Sequence, residues 1–307
     1  MHFQRFIGID WSGAATADDR VNLRLVESGP HLSTPRAITP PESSRAKNWT
    51  RNEVRRYLLD ALHPHAPRTL VAIDAAIGYP TGAASAIFDA STFSDLAATV
   101  AKGLAAHPDL PSYIDALNLR AAAHPTGVPF FYRGSDLPDR SWHRPHHRPH
   151  SFFTHHGIAY YRLVETFVPE SLSPFYIGPG PMVAYHALTV LRLIHHLFEA
   201  RQQSTVDVGI WPLDPHWSNA KHLIAECYPS ALPQPRTSPT SNNPHYLDAL
   251  TIADWLHHLS TDDLNAFLHL DSTDSPAPLL EVATNEGWIL GIPLPRSLPY
   301  YYALSTR

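Results

Sequence analysis

Four carboxylates in this sequence stand in apolar surroundings. Asp10 follows Ile7-Gly8-Ile9, Asp74 follows Val71-Ala72-Ile73, and Glu226 follows Leu223-Ile224-Ala225. An acidic side chain in an apolar strand is strongly unfavourable unless an opposite charge or a metal compensates it. Each of the three closes an apolar run, and in an open parallel sheet such strand ends meet along one edge, where ligands bind. Asp248 adds a helical carboxylate. It shares its stripe with Ile252, Trp255 and Leu259, whereas Asp254 shares one with Leu247 and His258, so phasing selects Asp248 as the residue facing the sheet. Four carboxylates around one point repel one another unless cations join them, which is the chemistry of a Mg2+ or Mn2+ site. Two such ions about 3.5–4 Å apart can activate a water and stabilise a leaving oxygen in phosphodiester cleavage.

Each carboxylate also has a structural alternative. Asp10, next to Ser12 and Gly13, and Asp74, before Gly78-Tyr79-Pro80, could cap turns. Glu226 could pair with a cation such as Lys221, and Asp248 could answer the dipole of its helix. One shared site accounts for all four together. Other chemistries find less support. Ser12 lacks a histidine partner and a nucleophile-elbow pattern, and the single cysteine, Cys227, excludes an internal disulfide framework and a multi-cysteine metal site.

The elements that must position these residues are legible in outline. Residues 6–11 read as a strand buried on both faces, and residues 21–26 alternate as a half-exposed strand before the turn Ser28-Gly29-Pro30. The opening is thus a hairpin, with a third strand expected near residues 36–39. Val54, Tyr57, Leu58, Ala61 and Leu62 mark an amphipathic helix, and residues 69–74 a second buried strand, so strand, helix and strand imply a parallel pair. Residues 94–123 are expected to be helical, 182–199 a buried helix, 206–211 a strand and 223–229 a further apolar run. Asn243-Pro244 is a start signal for a helix reaching about residue 259.

The chain has 307 residues, enough for one large α/β domain with insertions or for two small ones. Hydrophobic residues make up 44% and charged residues 17%, a globular composition. The first residues are too short an apolar run for a signal or membrane segment, and together with the cysteine usage they suggest a cytoplasmic protein without membrane attachment. The net charge of -5 leaves no broad basic field for a polyanion, so any nucleic-acid binding must be local. Thirty prolines and twenty-one histidines are the unusual counts, and residues 125–150, rich in proline, histidine and arginine, read as a long loop. Arg140, Trp142, Arg144 and Arg148 are candidate substrate contacts there, by phosphate pairing and base stacking. The histidines of this stretch lack the spacing of a zinc site, and a solvated insertion is its simpler reading.

The segments Ile7-Gly8-Ile9-Asp10-Trp11-Ser12-Gly13-Ala14, Ala72-Ile73-Asp74-Ala75-Ala76-Ile77-Gly78-Tyr79-Pro80, Glu226-Cys227-Tyr228-Pro229, Asp248-Ala249-Leu250 and Glu286-Gly287-Trp288-Ile289-Leu290-Gly291 resemble, in order and over nearly the whole chain, the family catalogued as domain of unknown function 429. That family is placed among ribonuclease-H-like proteins and expected to contain nucleases. The resemblance implies an α/β fold, a ribonuclease-H-like mixed sheet with its first three strands antiparallel and flanked by helices. It implies one domain over residues 1–307, with a helical and loop-rich insertion at about 90–203. It also carries the acidic roles onto Asp10, Asp74, Glu226 and Asp248. The expected activity is a divalent-metal-dependent nuclease or phosphodiesterase acting on nucleic acid or a small phosphodiester. Two alternatives stand beside it. An ATP-dependent phosphotransferase of the actin and sugar-kinase type would need further glycine-rich phosphate turns, which fourteen glycines do not visibly supply. A noncatalytic binding domain would keep the acidic group as a relic.

Overall fold

A computed structural model of the chain describes residues 1–11, 22–41, 48–121, 127–132, 149–178, 182–270 and 277–295. In chain order these form β1 (Arg5–Asp10), β2 (Arg24–Ser28), β3 (Arg36–Ile38), α1 (Arg51–Ala61), β4 (Thr69–Asp74), α2 (Ala83–Phe88), α3 (Phe93–Ala106), α4 (Leu110–Ala121), β5 (Phe131–Tyr132), α5 (Pro149–His156), β6 (Tyr176–Ile177), α6 (Val183–Gln202), β7 (Val208–Trp211), β8 (His222–Glu226), α7 (Pro244–His258), α8 (Thr261–Leu268) and α9 (Ala277–Glu286).

Six strands make one mixed sheet in the order β3-β2-β1-β4-β8-β7. The pairs β3–β2 and β2–β1 are antiparallel, and β1–β4, β4–β8 and β8–β7 are parallel. The predicted opening hairpin, its third strand and the parallel β1–β4 pair are all present. β5 and β6 form a separate two-stranded parallel sheet.

The central strands are buried on both faces, which is why β1, β4 and β8 lack polar alternation. Ile7, Ile9, Val71, Ile73 and Ile224 belong to a core shared with α1, α3 and α6. Leu70, Ala72, Leu223 and Ala225 share the opposite core with Ile252 and Leu256 of α7. Gly8 permits that second layer to close on β1. A Cβ there would stand 2.4 Å from the Ala249 carbonyl oxygen and 2.9 Å from the Ala253 amide nitrogen. α7 begins where the sequence places it, with the Asn243 side chain accepting the Tyr246 amide and Pro244 in the first turn.

The stretch 94–123, expected to be helical, is built of two helices, α3 and α4. Pro108 supplies no amide hydrogen and disfavours helical backbone at the preceding residue. His107 is accordingly extended, at φ -117° and ψ 148°. Asp109 then restarts the helix by accepting the Ser112 amide at 2.7 Å. No helix among the described residues is long and apolar enough to cross a membrane.

Candidate functional site

Register builds the site. Asp10 and Asp74 are direct partners at the ends of β1 and β4, so their side chains leave the same face of the sheet at the same height. That face is the one α7 covers, and Asp248 lies in the second turn of α7. One carboxylate oxygen from each of Asp10, Asp74 and Asp248 can be chosen so that all three lie within 4.8 Å of one another. Asp10 is buried, and Asp74 and Asp248 are partly buried.

Burial and mutual repulsion dominate the electrostatics. Burial pushes Asp74 well above the usual carboxylate range, and the charges of Asp10, Asp248 and Glu226 push it further. Asp248 rises to about 6, first through burial and then through Asp10. Burial also raises Asp10, against the pull of His245 and of Arg24, its partner on β2. His245 Nδ1 lies 2.9 Å from Asp10 Oδ2. No donor among the described residues makes an aligned hydrogen bond to that buried oxygen. Hard oxygen donors and crowded like charge, offset only in part by His245 and Arg24, make a group that can hold a divalent cation.

Glu226 does not complete the group. It pairs with Ile73, one residue before Asp74, so its side chain leaves the opposite face. There Arg162 takes both of its oxygens, at 2.6 and 2.7 Å, and the Ile77 amide donates to it at 2.9 Å. The third Arg162 donor goes to Glu165 at 2.8 Å. Glu226 as a metal ligand is therefore corrected to Glu226 as half of a buried ion pair. Its cation is Arg162 and not Lys221, whose ammonium donates to the Pro64 carbonyl. Asp254, set aside by helical phasing, is buried and accepts the amides of Arg236 and Thr237.

Between the two faces, at the strand ends, lies a cleft of about 180 Å³ lined in part by Asp74, Arg162, His186, Glu226 and Tyr228. His186 is held down to about 4 by burial and by the charges of Arg51 and His245, so it is neutral at physiological pH. Burial pushes the Cys227 thiol far up, which removes it as a nucleophile at neutral pH.

Sequence reasoning missed Arg162, Glu165, His186 and His245. Only His245 carried a signal, standing three residues before Asp248 on one helical face. Arg162 lies in an irregular connection with no periodicity to expose it. Arg140, Trp142, Arg144 and Arg148 lie outside the described residues, as do Ser12 and Gly13.

Fold and site together define a mixed α/β sheet with a three-carboxylate group at the ends of its two central parallel strands. Comparison of the chain with family models, with curated proteins and with solved structures finds no match in any of the three.

Proposed function

We propose that this chain is a divalent-metal-dependent nuclease or phosphodiesterase of ribonuclease-H-like fold. One observation carries the reading. Asp10 and Asp74 are in register on adjacent parallel strands, and Asp248 joins them from the helix packed over that face, within 4.8 Å. The strand order, with three antiparallel strands followed by parallel ones, supports the ribonuclease-H-like assignment. A bound Mg2+ or Mn2+ would supply an activated water and charge stabilisation for the leaving oxygen of a phosphodiester.

The chain's own residues have definite parts. Asp10, Asp74 and Asp248 would hold the cation from three separate elements. His245 orients Asp10 by its 2.9 Å contact, and Arg162 fixes Glu226 at the rim of the cleft. Rigid strand ends and a packed helix keep the carboxylates preorganised, so the site does not have to reorganise as charge develops. The test is cleavage of single- and double-stranded DNA and RNA, and of a small phosphodiester, with Mg2+ or Mn2+. We expect cleavage by the wild type and at least a hundredfold loss in Asp10→Asn and Asp74→Asn. Cleavage that survives in both variants overturns the assignment.

A further inference from the structure

We propose that the pocket between α1, α6 and the α3–α4 connection is a phosphate-binding subsite that extends the acidic site. The inference rests on the phosphodiesterase reading for its substrate, while the pocket's own chemistry can be tested without it. Arg51 and Arg55 of α1, Arg192 and His196 of α6, and His107 line this pocket, with Trp11 at one wall. Arg55 and Arg192 have no ion-pair partner among the described residues, and the Arg55 Nε is buried without a hydrogen-bond partner. The one carboxylate in the lining, Asp109, accepts the Ser112 amide at the start of α4. His196 is paired with Glu199 and His107 with the Gly103 carbonyl, so the guanidinium groups of Arg55 and Arg192 are the cationic donors the pocket offers.

Size selects the anion. The pocket holds about 60 Å³, and a water needs roughly 10–15 Å³ of such space. A phosphate, with five heavy atoms, fits this space. Guanidinium groups are the donors that match phosphate oxygens in geometry and charge.

Position links the pocket to the acidic group. Trp11 follows Asp10 directly in the chain, and its indole donates to Thr189 on α6 at 2.9 Å. His186, Thr189, Leu193 and His196 fall on one stripe of α6 at spacings of three and four. The first of them lines the cleft beside Asp74 and the other three line the cationic pocket. One stripe of α6 thus borders both the cleft that Asp74 helps to line and the guanidinium pocket, an arrangement suited to a substrate that carries more than one phosphate. A strand of nucleic acid and a small phosphorylated substrate offer this same chemistry.

The test is calorimetric titration of the full chain in EDTA with inorganic phosphate, and with a fluorescent single-stranded oligonucleotide read by anisotropy across a salt series. The variants are Arg55→Gln/Arg192→Gln, Arg55→Lys/Arg192→Lys and Asp74→Asn, each checked for cooperative thermal unfolding. We expect the glutamine pair to bind phosphate at least tenfold more weakly, the lysine pair to recover part of the loss, and Asp74→Asn to bind as the wild type does. If the oligonucleotide is the source of the phosphate, the glutamine pair also flattens the salt dependence of its affinity by about 0.7 in log–log slope. Phosphate binding lost in the glutamine pair, with no oligonucleotide binding by the wild type, supports the subsite with a small phosphorylated substrate and counts against the nuclease reading alone. Absence of phosphate binding by the wild type, or equal binding by the glutamine pair, overturns the subsite.

Discussion

Ile73 and Glu226 are register partners across β4 and β8, so Glu226 leaves the sheet on the α6 face while Asp74, one residue further along, leaves it toward α7. The two acids are close enough for Glu226 to raise Asp74, yet they have different tasks. Glu226→Gln is expected to keep Mn2+ affinity within a few-fold of wild type while destabilising the fold by about 3–5 kcal/mol, because Arg162 loses a buried counter-charge. Urea unfolding and Mn2+ titration of the same variant check this. Loss of Mn2+ binding without loss of stability would return Glu226 to the metal group.

Asp74→Asn should stabilise the metal-free protein. Asp74 and Asp248 both have folded pKa values raised above their unfolded ones, so the folded state holds protons more tightly and stability falls as pH rises, for Asp248 from about 4 through about 6 and for Asp74 over a higher range. An asparagine at position 74 removes the group that resists ionisation there. A rise in Tm of about 2–4 °C is expected, together with loss of the stabilisation that the proposed site predicts for the wild type in Mg2+. A lower Tm in the metal-free variant would contradict the repulsion described for this site.

Gly8→Ala tests the docking of α7. The added methyl group would meet the Ala249 carbonyl and the Ala253 amide, both backbone. A helix backbone cannot give way as a flexible side chain does. We expect a destabilisation of at least about 1–3 kcal/mol and a metal affinity reduced beyond what stability explains, since Asp248 travels with α7. Unchanged Mn2+ affinity in the folded variant would show that the helix position does not set the site.

His222 gives the opposite pH dependence. It is fully buried at the start of β8, where Nδ1 accepts the Thr69 amide at 3.1 Å and Nε2 faces the His63 carbonyl at 3.1 Å. Only the neutral Nε2–H tautomer satisfies both partners. Burial accordingly holds it down to about 4, so its stability contribution is present above about pH 6.5 and is lost as pH falls toward 4. His222→Gln should remove part of the acid sensitivity between those values, at a cost near neutrality on the order of 1–3 kcal/mol. Chemical unfolding at several pH values reads this, and an unaltered slope would refute the assignment.

Asp10, Asp74 and Asp248 could be found in the sequence because each breaks an apolar pattern whose period is local. Glu226 breaks one just as clearly, and its misplacement shows what local pattern lacks. The end of an apolar run is visible, but the parity of its register against the neighbouring strand is set by long-range pairing. The helical character of residues 94–123 was legible in their alanine- and leucine-rich composition, and the place where the stretch divides is carried by Pro108 and its effect on His107. Asn243-Pro244 needed no tertiary information, because a cap and a first-turn proline act on the residues beside them. Arg162 had none to offer, since its partners stand 3 and 64 residues away and its own segment is aperiodic.

The three carboxylates arrive from residues 10, 74 and 248, and the last rides on a helix that docks over strands made much earlier. A chain emerging from the ribosome therefore carries two members of the group through β8 and most of synthesis without the third. The complete three-carboxylate group is something the polypeptide acquires only after α7 has settled over Gly8. Contacts of such sequence separation also form slowly. Whatever the group binds, it can be held from all three elements only once that helix has docked.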